Sequence, residues 1–425
     1  MIRKKIVDFF NKKLQIDIEY YIKGGFWLVL ANVTIALVNV VALILFARLL
    51  SQDEFGKYKF FLSLIGVFSI LSATGMDTAV LQSASRHNKY AYINSSKFRL
   101  KVSLLGSVAM LIATAYFYKI SDPLWMVSAI GMFLFPFMFS FGGSIFFMYG
   151  LQKFTFASIF KVLTNLLPLF FVITLTILTR NVYIIIIAYM LAISLSHISI
   201  YTYIIKKVIP KIKNNVADKS MISYGKHLSL VNAITVVFNY FDKLLITYLM
   251  GYSSLAIYAI AESLPNQFKT QTKFIMGLVM PKMSKNSNLS FKHIQRYVLY
   301  AFLLSAAAIS IIYLVLPPII TFLFGDKYIS SIPFAQKLFL ATIFWLPNTL
   351  LLSYFQSQKK MREIYTYRIV TPIVGLTLYL VLGIKFQMLG IVYAMILSQG
   401  FTFVFLILIA SKKIELLRMS SLIRR

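Results

Sequence analysis

Amide and charged side chains inside long apolar stretches are the residues of this sequence that could do chemistry. Asn32 and Asn39 are seven residues apart, and Asn232 and Asn239 repeat that spacing 200 positions further on. Seven residues make about two helical turns, so each pair lies on one helix face. Such a stripe either lines a polar cavity or joins neighbouring helices by hydrogen bonds, and the asparagines alone do not decide between these interpretations.

Two charged residues favour the cavity interpretation for the second stripe. Asp242 extends it by three residues, and Lys243 follows directly. A charged side chain at the centre of a membrane span costs about 2.5–3.5 kcal/mol, so it is expected to face a cavity or a partner. Neighbouring helical residues diverge by about 100°, so these two need not pair with each other.

A polar face continues beyond this point. Glu262, Asn266, Lys269 and Lys273 fall at i, i+4, i+7 and i+11, which is one side of a helix. We expect this side to line a hydrated cavity, with Pro265 interrupting the helix beside it and acting as a hinge. The alternative is that both lysines merely begin a cytoplasmic loop.

Two cations occupy matched places in the two halves of the chain. The segment 160–164, FKVLT, resembles the segment 367–371, YRIVT, and places Lys161 opposite Arg368. Each cation could extend to the membrane interface, or the two could form a basic cavity mouth.

Asp77 is an acidic residue close to the end of an apolar stretch. It is a candidate proton or cation site, and a partner role for Arg86 is the alternative.

No catalytic or metal-binding pattern accompanies these residues. The chain has no cysteine, which excludes disulfides, thiolate metal sites and cysteine nucleophiles. The four histidines, His87, His197, His227 and His293, show no metal-ligand spacing. We therefore expect a protein that is not an enzyme and has no metal or cofactor.

The elements that position these residues are membrane-spanning helices. Of the 425 residues, 59% are hydrophobic and 13% are charged, whereas soluble proteins have about 45–50% and 25%. A span needs about 20 predominantly apolar residues. The composition therefore predicts an all-α polytopic membrane protein with twelve transmembrane helices. The predicted spans are 25–47, 60–82, 101–118, 124–149, 156–178, 182–205, 228–250, 254–280, 297–320, 334–356, 366–384 and 388–410.

The distribution of Lys and Arg orients these spans. Alternate loops and the two termini hold 33 of the 43 basic residues on one side of the membrane, against eight on the other. Because cytoplasmic loops carry the excess of Lys and Arg, both termini are predicted to be cytoplasmic. The same rule accounts for the net charge of +30, so no nucleic-acid partner is expected.

The chain is predicted to consist of two halves. A cytoplasmic linker, 206–226, separates a six-helix bundle at 24–205 from a second at 227–410. A cytoplasmic amphipathic N-terminus, 1–23, and a basic cytoplasmic tail, 411–425, flank them. The 200-residue repeat indicates that the halves are parallel repeats, as in many transporters.

Several short motifs resemble those of Wzx-type oligosaccharide flippases, members of the multidrug/oligosaccharidyl-lipid/polysaccharide exporter superfamily. They are RLLSQDEFGKY at 48–58, GMDTA at 75–79, YFDK at 240–243, AIYA at 256–259 and LGIVYA at 389–394. Their order and spacing agree with this family over nearly the whole chain.

The resemblance implies two six-helix bundles around a central cavity, in the bacterial cytoplasmic (inner) membrane. It implies that undecaprenyl-diphosphate-linked oligosaccharide units, such as those of lipopolysaccharide O-antigen, move from the cytoplasmic to the outer leaflet by alternating access. Membrane lipids and the polysaccharide polymerase machinery are the other expected partners.

This function assigns roles to the residues named above. The candidates for the diphosphate are Lys161, Lys243, Lys269, Lys273 and Arg368. The candidates for the polar cavity lining are Asn32, Asn39, Asn232, Asn239 and Asn266. The candidates for coupling to a gradient of H⁺ or Na⁺ are Asp77, Asp242 and Glu262.

Two other functions are alternatives. A multidrug antiporter of the same superfamily would need an acidic cavity for cationic drugs, whereas the intramembrane excess here is basic. A glycan polymerase or membrane acyltransferase would need a sizeable external loop or a His/Asp site, and the sequence shows neither.

Overall fold

The computed structural model describes residues 18–86, 88–209, 218–285, 291–358 and 360–422. These residues form long helices joined by short turns. In chain order the helices are α1 (Ile18–Leu49), α2 (Gln52–Phe68), a 3₁₀ helix (Ser69–Ser72), α3 (Met76–Ser85), α4 (Ala91–Lys119), α5 (Leu124–Ser140), α6 (Ser144–Gly150), α7 (Phe154–Leu178), α8 (Val182–Lys207), α9 (Lys219–Lys285), α10 (Phe291–Phe324), a 3₁₀ helix (Asp326–Ser331), α11 (Ile332–Thr342), α12 (Trp345–Ser357) and α13 (Met361–Leu422).

The described residues confirm the all-α membrane fold. They contain ten helical stretches that are long and apolar enough to cross a membrane. Two of these stretches have 52 and 51 residues, about twice what one crossing needs. Each turns once, at Gly251 and at Gln387, which are the positions where the sequence predicts loops. The ten stretches therefore agree with twelve crossings.

Helices that break inside a predicted span are the main departure from the expected architecture. The second span consists of α2, a 3₁₀ turn and α3, and Ala73 has a φ of 55° between them. The fourth span divides into α5 and α6 at 141–143, and the tenth into α11 and α12 at 343–344.

The expected interruption at Pro265 is not observed. Within α9, the residue with non-helical dihedral angles is Gly251. A proline removes one backbone hydrogen bond, but here the helix continues through it. A hinge role for Pro265 stays a prediction.

The structure divides into two compact units. The first contains Phe68–Leu230 together with α1 up to Leu45, and the second contains Phe46–Val67 together with the chain from Val231 onward. The predicted boundary near 206–226 is thus close to the observed one at Leu230, whereas 46–67 groups with the second unit instead of the bundle at 24–205. Most of the predicted N-terminal segment, 1–23, lies outside the described residues, whereas α13 continues through 411–422 of the predicted C-terminal tail.

Backbone-directed contacts explain why 46–67 belongs to the second unit. The Arg48 guanidinium donates to the carbonyl oxygens of Phe322 and Leu323 at the end of α10. In return, Lys327 Nζ donates to the Leu50 carbonyl at 2.8 Å. These bonds satisfy carbonyl groups that a helix end leaves free.

Each unit has its own apolar core. In the first unit Met76, Tyr92 and Phe147 are buried in one cluster, and in the second unit Leu351 and Phe355 are buried in another. Many large apolar side chains are instead exposed, as expected of a surface whose solvent is lipid.

Asp218 directly precedes α9 and fixes its first turn. Its Oδ1 accepts from the Met221 backbone N–H at 3.0 Å and from Ser220 Oγ at 2.7 Å, and its Oδ2 accepts from Ser83 Oγ at 3.0 Å. These hydrogen bonds hold the pKa of the Asp218 carboxyl below its usual value.

Candidate functional site

An asparagine and a lysine pair in the first unit. Lys161 Nζ on α7 donates to Asn32 Oδ1 on α1 at 2.6 Å. Both residues are partly buried. The amide of Asn39 is used differently, because its Nδ2 donates to the Ile35 carbonyl of its own helix.

The second unit contains the matching pair. Arg368 Nη1 on α13 donates to Asn232 Oδ1 on α9 at 3.4 Å. Residues that the sequence repeat relates, Asn32 with Asn232 and Lys161 with Arg368, thus form equivalent contacts within their own units. This equivalence supports the repeat with structural contacts as well as with sequence matches.

The Asn232–Arg368 pair lies in the wall of a polar cavity inside the second unit. We call this the second-unit cavity; it has a volume of about 430 Å³. Asn239 and Lys269 also line it, so four residues predicted from the sequence come together here. The Lys269 ammonium lies over the Trp345 ring, 5.0 Å from its centre.

The charge of the second-unit cavity has one sign. Among the described residues that line it, Lys269 and Arg368 are cationic, and none is Asp or Glu. The other polar groups are neutral amides, hydroxyls and the indole N–H of Trp345. The cavity can therefore hold an anionic group beside uncharged hydrogen-bonding groups.

Several lining residues were missed by the sequence analysis, and three of them carry polar nitrogen groups. Trp345 and Asn348 lie on α12, and Gln399 lies on α13. Asn348 and Gln399 are amides inside predicted spans, and the reasoning applied to Asn32 would have found them. Trp345 carries no such signal, because a tryptophan in a span is usually core or interface.

Lys243 is in a different place from the cavity cations. Its ammonium lies 3.2 Å from Asp242 Oδ2 and 2.9 Å from Glu262 Oε2, and Tyr258 OH donates to Asp242 Oδ2 at 2.7 Å. The turn at Gly251 folds α9 back, so that Glu262 meets the pair at 242–243. We call Asp242, Lys243 and Glu262 the buried triad.

The buried triad collects three of the predicted site residues in one polar cluster. Asn266 hydrogen-bonds Glu262, and the charge of Lys59 on α2 interacts with Glu262 and Lys243. Lys243 forms an ion pair with its neighbour Asp242, although adjacent residues of a helix point in different directions and are not required to pair. Here both carboxylates already have a cation of the protein beside them.

Asp77 has a partner that the sequence did not suggest. Arg99 Nη1 on α4 lies 2.6 Å from Asp77 Oδ1, and Arg99 Nε donates to the Ser72 carbonyl at 3.2 Å. In the described structure the cation beside Asp77 is thus Arg99, whereas the sequence analysis had offered Arg86 as an alternative partner. Arg99 satisfies a carbonyl that the break between α2 and α3 leaves free.

Lys273 lies on α9, but its side chain is outside the described part of the structure. Its assignment to the diphosphate stays a prediction. Among the described residues there is no group of three or more His, Cys, Asp and Glu side chains that could hold a metal ion.

Solved structures of membrane transporters have the same fold. The lipid II flippase MurJ in an inward closed conformation matches with a TM-score of 0.72 and 13% identity, over 90% of this chain and 87% of that one. An inward-facing multidrug resistance MATE family transporter of the MOP superfamily matches with a TM-score of 0.63 and 14% identity, over 89% and 95%. A MOP superfamily transporter from Pyrococcus furiosus with a binding pocket of reverse polarity matches with a TM-score of 0.59 and 13% identity, over 91% and 93%.

The ten apolar helical stretches define a multi-pass membrane protein, and its fold is the one seen in the MurJ and MATE structures. A family model described as polysaccharide biosynthesis protein matches residues 21–287. The chain belongs to this family, which confirms the resemblance drawn from its motifs. No curated protein gives a significant match.

Proposed function

We propose that this protein is a flippase that moves undecaprenyl-diphosphate-linked oligosaccharide units from the cytoplasmic to the outer leaflet of the bacterial inner membrane. The observation that carries the proposal is the second-unit cavity, whose described lining residues combine two cations with neutral amides and hydroxyls and include no carboxylate. A diphosphate bearing a glycan cannot cross hydrocarbon unaided. Such a cavity offers its phosphates charge-assisted hydrogen bonds.

Three further observations support the proposal. The chain belongs to a polysaccharide biosynthesis family, and it shares its fold with the lipid II flippase MurJ. The excess of Lys and Arg in alternate loops supports cytoplasmic termini. Alternating access is the mechanism that fits a fold of this kind.

A drug antiporter of the same superfamily is the second candidate, because MATE transporters share the fold. A cationic drug would be repelled by Lys269 and Arg368, and the described lining residues of the second-unit cavity provide no carboxylate to attract it. The cavity therefore favours an anionic substrate. The described residues show no catalytic arrangement of side chains that would support a polymerase or an acyltransferase.

Deletion of the gene tests the function directly. We expect lipid-linked glycan to accumulate in the cytoplasmic leaflet and surface glycan to disappear, with both restored by the wild-type gene. Normal surface glycan with unchanged lipid-linked pools would contradict the proposal.

The cavity cations can be tested by replacing Arg368 and Lys269 with Gln. Each should lose about 1.5–3 kcal/mol of interaction with the phosphates, and the double variant should abolish export at normal protein levels. Lys385→Gln is the matched control, since Lys385 is exposed and outside the cavity. Wild-type export by the double variant would remove these residues from the transport path.

A further inference from the structure

One wall of the second-unit cavity is built from neutral hydrogen-bonding side chains. Trp345, Asn348 and Thr349 line the cavity from α12, at i, i+3 and i+4, which places them on one helix face. Gln399 and Thr402 line it from α13. Asn348 Nδ2 donates to the Gln399 carbonyl at 3.2 Å and so joins the two helices. We call this the α12–α13 wall.

Two polar atoms of this wall have no hydrogen-bond partner within the described structure. They are the indole nitrogen of Trp345 and the amide oxygen of Asn348, in side chains that are 3% and 7% exposed. An unsatisfied buried polar group costs about 1–3 kcal/mol. One is a donor and the other an acceptor, and they lie one helical turn apart.

A hydroxyl-rich ligand matches this arrangement. A sugar hydroxyl both donates and accepts, so it can pair with an indole N–H, an amide oxygen or a threonine hydroxyl. A purely phosphate ligand offers acceptors at neutral pH and could not pair with the Asn348 oxygen. The α12–α13 wall thus differs in chemistry from Arg368 and Lys269, which suit phosphate.

The volume of the cavity limits what it can hold. About 430 Å³ is near the lower end of the roughly 300–1,000 Å³ that small-molecule sites occupy. Only part of a lipid-linked oligosaccharide can enter it.

We propose that the α12–α13 wall binds a sugar ring of the transported glycan, while Arg368 and Lys269 hold the diphosphate. This inference rests on the proposed flippase function and adds to it a saccharide subsite. Both atoms are buried behind the cavity surface in this structure, so the sugar reaches them when the Trp345 and Asn348 side chains turn toward the cavity. Trp345 then donates through its indole N–H, and Asn348 accepts through its amide oxygen. The protein therefore selects its substrate by a sugar as well as by its charge.

The test compares two ligands that differ only in the glycan. The lipid-linked glycan that accumulates in the deletion strain is purified, and undecaprenyl diphosphate serves as the sugar-free ligand. The affinity of each for the full-length protein in lipid nanodiscs is measured by titration. The wild type should bind the glycosylated lipid more tightly, and the ratio of the two affinities reports the sugar contribution.

Two substitutions should reduce this ratio without changing the affinity for undecaprenyl diphosphate. Trp345→Phe keeps the ring beneath the Lys269 ammonium and removes only the N–H, and Asn348→Ala removes the amide. Each should lower the ratio by about two- to tenfold, the value of one neutral hydrogen bond. Trp125→Phe and Asn165→Ala are matched controls outside the cavity and should leave the ratio unchanged.

The possible failures are distinguishable. If the wild type binds both lipids equally, or if Trp345→Phe and Asn348→Ala keep the full ratio, the cavity wall is occupied by water alone and the subsite is disproved while the flippase function stands. If no lipid-linked glycan accumulates in the deletion strain, or if neither lipid binds, the flippase function fails and the subsite fails with it.

Discussion

Lys243 is enclosed by two carboxylates of its own chain. The exposed fractions of the Asp242, Lys243 and Glu262 side chains are 4%, 16% and 10%. Removing one member of a buried ion group leaves an uncompensated charge, which costs about 3–5 kcal/mol. We expect Lys243→Met to lower the stability of the protein by this order, measured as thermal unfolding in nanodiscs.

The carboxylates themselves provide the control. Adding Asp242→Asn and Glu262→Gln to Lys243→Met removes the uncompensated charges and should recover most of the lost stability. Asp53→Asn disrupts a partly exposed ion pair with Lys57 and should cost less than about 1 kcal/mol. A Lys243→Met variant as stable as wild type would show that the buried triad is not a stabilising unit.

Residue types could be predicted better than residue partners. The sequence placed Asn232, Asn239, Lys269 and Arg368 in a cavity, because intramembrane polar groups need a polar environment. It could not give Asp77 its partner Arg99, since that contact depends on a break in the helix and on the packing of α4. Contacts of this kind are set by tertiary structure and leave no spacing signal.

At the scale of elements, the turn at Gly251 positions the buried triad. Its φ of 81° and ψ of 178° lie in a region that is essentially restricted to glycine. A Cβ at this position would meet no atom within 4 Å, so the cost of a side chain is backbone strain alone. Gly251→Ala should therefore lose about 1–3 kcal/mol of stability.

Gly400→Ala is a control that separates backbone strain at Gly251 from the general effect of replacing glycine with alanine. Gly400 lies within α13, and a Cβ there would make ordinary contact with Phe344 at 3.7 Å. Gly400→Ala should be neutral or should stabilise by roughly 0.5–1 kcal/mol. If both substitutions change the thermal unfolding midpoint equally, strain at Gly251 is not the cause.

The positions of the spans were predictable, and the breaks inside them were not. Hydropathy over about 20 residues detects a crossing, and charged or polar gaps at 251–253 and 385–387 mark the turns. The break between α2 and α3 shows no comparable polar gap in the sequence. The Ser72 carbonyl that the break leaves free accepts a hydrogen bond from Arg99, which is distant in sequence. The assignment of 46–67 to the second unit depends likewise on contacts distant in sequence.

At the scale of the whole molecule, the two repeated units share one feature and differ in another. Both units pair an asparagine with a cation, Asn32 with Lys161 and Asn232 with Arg368. The second unit adds Lys269, Trp345 and Asn348 around its pair. The two units thus share the asparagine–cation pair but differ in the side chains around it. We therefore place substrate recognition in the second unit.

The orientation of the whole chain gives the last prediction. Lys119 ends α4 and Lys153 precedes α7, both are exposed, and one predicted span, Leu124–Gly150, separates them. The charge distribution places Lys119 outside the cell and Lys153 in the cytoplasm.

Because the chain contains no cysteine, a single introduced thiol can be labelled without background. In intact cells, or in spheroplasts where an outer membrane is present, a membrane-impermeant maleimide should label Lys119→Cys and leave Lys153→Cys unlabelled, and permeabilisation should allow both to react. Labelling of Lys153→Cys from outside would invert the proposed topology, and labelling of both would show that Leu124–Gly150 does not cross the membrane.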